Sequence, residues 1–192
     1  MTAPFCVKNH FSEDTMLASD NKNIVLIGMP GVGKSTIGVL LAKQLGYSFL
    51  DTDILIQAAE GKTLQELIQK HGISGFCDLE AEYILSVSVN SHVIATGGSV
   101  VYGKAAMRHL KADAVVIHLN LSLGRLQKRL DDLDARGVAI APGRDLSDLY
   151  GERHPLYLKY ADHTVDTDTL TPNQVVGQIV DLLKDLVLSV RN

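Results

Sequence analysis

Gly28-Met29-Pro30-Gly31-Val32-Gly33-Lys34-Ser35 is the stretch on which the reading of this chain turns. Ile24-Val25-Leu26-Ile27 form an unbroken apolar run just before it, and Ile37, Leu40, Leu41 and Leu45 recur on one helical face just after it. The octapeptide therefore matches the pattern GxxxxGK[ST] in the strand-to-helix setting that gives the pattern its meaning. The chemistry explains the residue types. Glycines let consecutive backbone N–H groups face phosphate oxygens, and the following helix adds the positive end of its dipole. Lys34 is expected to reach the β- and γ-phosphates of a nucleoside triphosphate, and the Ser35 hydroxyl to bind magnesium. Gly28, Pro30, Gly31, Val32, Gly33 and Thr36 complete the expected cradle.

Outward from the loop, short apolar runs alternate with helical patterns. Strands are expected at 23–28, 48–51, 93–96, 114–120 and 163–166; the clearest are continuous apolar runs, as in strands covered on both faces. Leu64, Leu67 and Ile68 mark one further helix, and Ala81, Ile84 and Leu85 another. The longest helical stripe runs from Val175 to Val190, with Thr171 as its N-cap and Pro172 at its first position. Strands joined by helix-length crossovers imply an α/β fold of three layers, with a parallel sheet between helices.

Composition agrees with one such domain. The chain has 192 residues, 46% hydrophobic and 21% charged, which excludes a disordered or fibrous chain. A net charge of −4 gives no support to a nucleic-acid or membrane-surface binder. Cys6 and Cys77 are too few for a disulfide framework and lack metal-ligand spacing. No 18-residue apolar run and no secretory leader are present, so a soluble cytoplasmic protein is expected, with no membrane or nucleic-acid partner. Among users of nucleoside triphosphates, a GTPase would carry an Asn-Lys-x-Asp stretch, and none is found. A motor or AAA-type ATPase would end an apolar strand in an acid, whereas Val93-Ile94-Ala95-Thr96 runs into Gly97-Gly98. A small-molecule kinase fits the length better.

Three further segments are Phe49-Leu50-Asp51-Thr52-Asp53, Val93 to Gly98, and Glu152-Arg153-His154-Pro155-Leu156-Tyr157. In their order and spacing with the loop, the chain resembles the shikimate kinase family of P-loop kinases. That resemblance implies a five-stranded parallel sheet and a mobile lid at about 131–145; the kinase domain is expected over 23–192, and the polar, aperiodic stretch 1–22 is expected to be a flexible extension before it. It implies ATP-dependent transfer, with Mg2+, to a hydroxyl of a small, anionic metabolite, shikimate foremost; a monomer is expected. By the same resemblance Asp51 supports the metal, and Asp53 contacts the acceptor hydroxyl and helps to deprotonate it. Gly97 and Gly98 form a platform beneath the acceptor, and Arg153 clamps its carboxylate. Arg129 packs on adenine, Glu80 orients the arginine clamp, and a lid arginine, Arg136 or Arg144, offsets charge on the transferring group.

The residues also permit plainer roles. Asp53 suits a helix N-cap, Gly97-Gly98 a tight turn, Arg153 a helix-surface ion pair with Glu152 or Asp148, and Arg129 a solvated helix face. Three departures bear on the acceptor. The family carries a second carboxylate-binding arginine where this chain has Cys77, a third glycine where it has Ser99, and an Arg-Pro pair that is missing between Asp131 and Asp145. One lost charge-assisted contact costs about 1.5–3 kcal/mol. Cys77 thus leaves open a half-buried structural cysteine, or room for a different group on the acceptor. Two alternatives follow: a kinase of the same family acting on another hydroxylated metabolite, and a nucleotide-binding module without catalysis.

Overall fold

The computed structural model describes residues 22–130 and 143–190. Residues 1–21, Cys6 and Arg136 among the expectations lie outside the described residues, as does most of the expected lid.

Five strands, β1 (Asn23–Ile27), β2 (Ser48–Asp51), β3 (His92–Ala95), β4 (Ala114–Asn120) and β5 (His163–Asp166), form a sheet in the order β2-β3-β1-β4-β5. Every pairing is parallel. The apolar run before the loop becomes the central strand: all five residues of β1 are buried, as a strand covered on both faces must be. Its partners Val93, Ile94, Val116 and Ile117 are buried with it. Two strands differ from expectation by one residue: β1 stops at Ile27, and β3 is shifted to His92–Ala95. Gly28 leaves the sheet because its backbone has φ 147° and because a Cβ there would stand 2.6 Å from the Leu119 carbonyl oxygen of β4. Only glycine fits such an approach.

Around the sheet run α1 (Lys34–Leu45), α2 (Thr52–Glu60), α3 (Leu64–Ser86), α4 (Lys104–Ala112), α5 (Leu123–Leu130), α6 (Leu146–Tyr160) and α7 (Pro172–Val190). The two helical patterns around Leu64 and Ile84 belong to one element, α3, bent where Gly72 takes φ 69°. Gly61 ends α2 and Thr63 caps α3, with the Glu66 carboxylate accepting in return from the Thr63 N–H at 2.8 Å. Thr171 caps α7 as its sequence suggests: its hydroxyl accepts from the Gln174 N–H at 3.4 Å, and Pro172 occupies the first helical position. A small separate core of Ile56, Leu67 and Phe76 joins α2 to α3. It fixes the face of α3 that carries Cys77 and Glu80.

The chain leaves β1 toward β2 and leaves β4 toward β5, in opposite directions across the sheet. A crevice opens outside the carboxyl ends of such strands, and ligands of open α/β folds bind there. α1 begins in this crevice and lies so close to β2 that a Cβ on Gly38 would stand 2.5 Å from Cε2 of Phe49. Gly38→Val therefore overpacks this contact and places a β-branched residue in a helix interior. It should cost about 1–3 kcal/mol in urea unfolding without changing the m-value.

Candidate active site

The site begins with a buried cation. Lys34 is 8% exposed, and its ammonium donates to the carbonyls of Gly28 at 2.8 Å and Met29 at 3.0 Å. Burial lowers its pKa to about 8, with the carboxylate of Asp53 pulling the other way. Gly33 stands at the N-cap of α1 with no side chain over the helix end, so the first N–H groups face the crevice. Ser35 and Thr36 are exposed on that first turn. Arg129, on α5, reaches across to donate to the Val32 carbonyl at 3.2 Å and the Gly31 carbonyl at 3.4 Å. The loop, Lys34, Ser35, Thr36 and Arg129 are thus one contiguous surface.

Opposite it, Asp51 ends β2. The N-cap role that also suits Asp53 belongs to Asp51, whose Oδ1 accepts from the N–H groups of Asp53 at 3.0 Å and Ile54 at 3.3 Å. Asp53 is left free on the first turn of α2, where burial raises its pKa against the pull of Lys34. Thr52, fully buried between the two acids, accepts from the Gly97 N–H at 3.2 Å and ties the end of β2 to the end of β3.

Gly97 and Gly98 are required by space. A Cβ on Gly97 would lie 2.1 Å from Glu80 Oε1 and 2.8 Å from Asp53 Oδ1. One on Gly98 would lie 2.9 Å from Cδ of Pro30 and 3.1 Å from Nη1 of Arg153. Phosphate loop, both acids and arginine therefore converge on these two glycines.

Arg153, on α6, is 3% exposed, so it is no helix-surface ion pair. Its Nε donates to the Tyr102 hydroxyl at 3.1 Å, and its guanidinium lies 5.2 Å from the centre of that ring. Tyr157, one helical turn on, donates to the Gly98 carbonyl at 2.7 Å. Tyr102 and Tyr157 carry no signal in the sequence that would assign them here, although Tyr157 belongs to the quoted segment. Their partners stand 51 and 59 positions away. Glu80 accepts from Ser99 Oγ at 2.7 Å through Oε2, while its buried Oε1 has no hydrogen-bond partner among the described residues. Burial pushes its pKa up to about 7, and Asp53 adds to the rise, while Ser99, Arg153 and Lys34 oppose it.

Beside Arg153 lies a cavity of about 410 Å3, walled by α3 (Cys77, Asp78), by Tyr102 and by α6 (Glu152, Arg153), with Arg144 at the entrance to α6. This volume falls in the range of small-ligand sites. Cys77 is half-buried in that wall, and burial pushes its thiol pKa up, so it carries no charge at neutral pH. Arg144 belongs to this cavity, paired with Glu152 at 2.5 Å.

Residues 30–184 match the shikimate kinase family. The chain belongs to that family. The shikimate kinase of Thermodesulfovibrio yellowstonii is 40% identical over 162 residues, which is 83% of this chain and 93% of the relative. Shikimate kinase 2 of an Enterobacter species is 36% identical, with 84% of this chain and 95% of the relative covered. Among solved structures, shikimate kinase from Acinetobacter baumannii in complex with shikimate superposes with a TM-score of 0.76 at 30% identity, over 85% of this chain and 93% of that one. Membership makes the protein an ATP-dependent small-molecule kinase with the P-loop fold of shikimate kinases. No helix among the described residues is long and apolar enough to cross a membrane.

The raised Glu80 pKa has a consequence for this shikimate kinase relative. Between about pH 4.5 and 7 the unfolded chain releases the Glu80 proton while the folded chain keeps it, so stability falls as pH rises through this window. Glu80→Gln removes the dependence. Its stability relative to the parent should rise across that window by about 1 kcal/mol per pH unit and level off above pH 7 in chemical unfolding.

Proposed function

We propose that the protein transfers the γ-phosphoryl group of ATP to a hydroxyl of shikimate, giving shikimate 3-phosphate. The observation that carries this reading is the convergence on Gly97 and Gly98 of Pro30 from the phosphate loop, Asp53 and Arg153. A phosphoryl donor, a proton acceptor and a carboxylate clamp need such mutual proximity. The shikimate complex of the Acinetobacter baumannii relative supports the choice of acceptor.

In this mechanism the N–H groups from Gly28 to Ser35 hold the donor phosphates, and Arg129 lies beside the loop where the nucleoside would extend. Lys34 exchanges the Gly28 and Met29 carbonyls for phosphate oxygens and offsets charge that spreads over the transferring group. Asp53 takes the acceptor hydroxyl proton; burial has already raised its proton affinity, which suits a general base. Arg153 grips the carboxylate, held in orientation by Tyr102. Gly97 and Gly98 admit the ring because they leave no side chain between the acids and the loop.

The oxygen donors present fit Mg2+: Ser35 is exposed at the head of α1, and Asp51 has committed only Oδ1 to its cap. Held by Ser35 and Asp51, the ion would neutralise negative charge on the donor phosphates. Arg136, in the segment between α5 and α6, is the remaining lid arginine proposed for the transferring group. We place the protein in the cytoplasm as a monomer.

Cys77 favours a second reading, a different hydroxylated carboxylic acid as acceptor, because α3 offers the cavity a neutral thiol where the family's second clamp would be. A coupled ADP-release assay separates the two. Shikimate at sub-millimolar concentration should drive turnover above the rate of ATP hydrolysis in water. No stimulation by shikimate, with turnover on another hydroxy acid, would favour the second reading.

Asp53→Asn should lower kcat by about 10²–10⁴-fold, with thermal unfolding close to the parent's. Lys34→Ala should abolish turnover through both nucleotide affinity and kcat. Near-normal turnover of Asp53→Asn would remove the base assignment.

A further inference from the structure

Among the described residues, the cavity beside the Arg153 clamp has two cations in its wall. One is Arg153, buried on α6; the other is Arg144, from the residue that precedes the Asp145 N-cap of α6. The α3 side offers Cys77, a neutral thiol, and Asp78. An anionic acceptor in this cavity therefore meets one guanidinium from α6 and no cation from α3. We infer that Arg144 supplies the second guanidinium on the acceptor's carboxylate, taking from the start of α6 the part that α3 leaves vacant. The inference rests on the shikimate kinase reading of this site and assigns to Arg144 a role in acceptor recognition instead of one on the transferring phosphoryl group.

The wall around Arg144 is built for this. Its Nη1 donates to Glu152 Oε2 at 2.5 Å, and this is one of five N–H donors on a planar fork. An ion pair whose partners are 47% and 36% exposed adds little stability, but it fixes the direction of the fork. Glu152 is held in turn. The Tyr102 hydroxyl is the foremost cause that keeps its carboxyl below the usual carboxylate range, ahead of the Arg144 guanidinium. The same hydroxyl accepts from Arg153 Nε at 3.1 Å. Arg153, Tyr102, Glu152 and Arg144 thus form one chain of contacts along the cavity wall. It holds two guanidiniums toward a common space while Glu152 engages only Arg144 directly. A carboxylate entering that space would face both forks.

Steady-state kinetics with shikimate and with its methyl ester test the assignment, on the parent, Arg144→Ala, Arg144→Lys and the double variant Cys77→Arg/Arg144→Ala. A lost charge-assisted contact is worth roughly tenfold to a hundredfold in affinity. Arg144→Ala should raise the shikimate KM by about tenfold or more, leave kcat within about threefold and leave the ATP KM unchanged. Lysine should recover part of the loss, because it brings charge without the fork. Cys77→Arg should recover most of it, because it returns a guanidinium to the α3 side. The parent should prefer shikimate to the uncharged ester, and Arg144→Ala should lose most of that preference. An unchanged shikimate KM in Arg144→Ala, or a loss that falls on kcat with KM intact, overturns the inference. If the parent turns over no shikimate, it is the functional reading that fails. Arg144 is then judged by thermal-shift titration of parent and Arg144→Ala with hydroxy acids and their esters, where an equal preference for the acids in both proteins overturns it.

Discussion

A buried ammonium sets the terms for the whole carboxyl edge of the sheet. Lys34 loses most of its hydration at the head of α1, and an uncompensated buried charge costs several kcal/mol. The Gly28 and Met29 carbonyls supply part of the compensation, and Asp53, Asp51 and Glu80 supply the rest from across the crevice. Those acids are in turn crowded together, with Arg153 as their second positive neighbour. The shifts of Lys34 downward and of Asp53 and Glu80 upward are one phenomenon seen from several groups. Desolvation favours the neutral form of each, and opposite charges pull each back. Such a cluster holds together only if β1, β2 and β3 end at the same level. The Thr52 to Gly97 hydrogen bond and the register of β2 against β3 secure that level.

Glu80 takes its place through the same balance. In a site with a guanidinium at position 77, a buried glutamate would have a local cation as partner. Here Ser99 offers a hydroxyl, which satisfies one carboxylate oxygen and brings no charge. The other oxygen has no donor among the described residues, and the acid, desolvated by burial, holds its proton nearer to neutrality. Cys77 and Ser99 are therefore linked departures. Removing a cation from α3 leaves Glu80 closer to the neutral state, and the Ser99 hydroxyl, by donating to the carboxylate, offsets part of that rise.

The sequence made the donor side of the molecule legible because its information is local. The octapeptide, the apolar β1 run and the Thr171-Pro172 start of α7 each carry their signal within a few residues, and the fold places each where the pattern implies. Asp51 and Asp53 show the limit of that resolution: both suit an N-cap, and only the observed start of α2 at Thr52 decides that Asp51 holds it and Asp53 is released. The family resemblance supplied Arg153 and the glycine platform. Neither it nor periodicity reached Tyr102, Tyr157 or the Ser99 to Glu80 bond, because those pairs meet only through tertiary packing. Arg144 sat on a stretch with no repeating pattern, so its sequence position suggested the lid while its side chain faces the cavity of Cys77 and Arg153.

The choice of a tyrosine beside Arg153 completes the electrostatic logic. An arginine meant for a substrate carboxylate must be fixed in direction, and the usual fixing partner is an acid. An acid in direct contact would neutralise the charge reserved for the ligand and would have to be displaced or tolerated by it. Tyr102 orients the guanidinium through its hydroxyl and its ring, and neither contributes an opposing charge. The acid that α6 adds to this wall, Glu152, pairs with the more solvated Arg144 and is screened by water. The buried cation is therefore oriented without an acid in direct contact, while the exposed one is steadied by a pair that solvent weakens and a carboxylate can share.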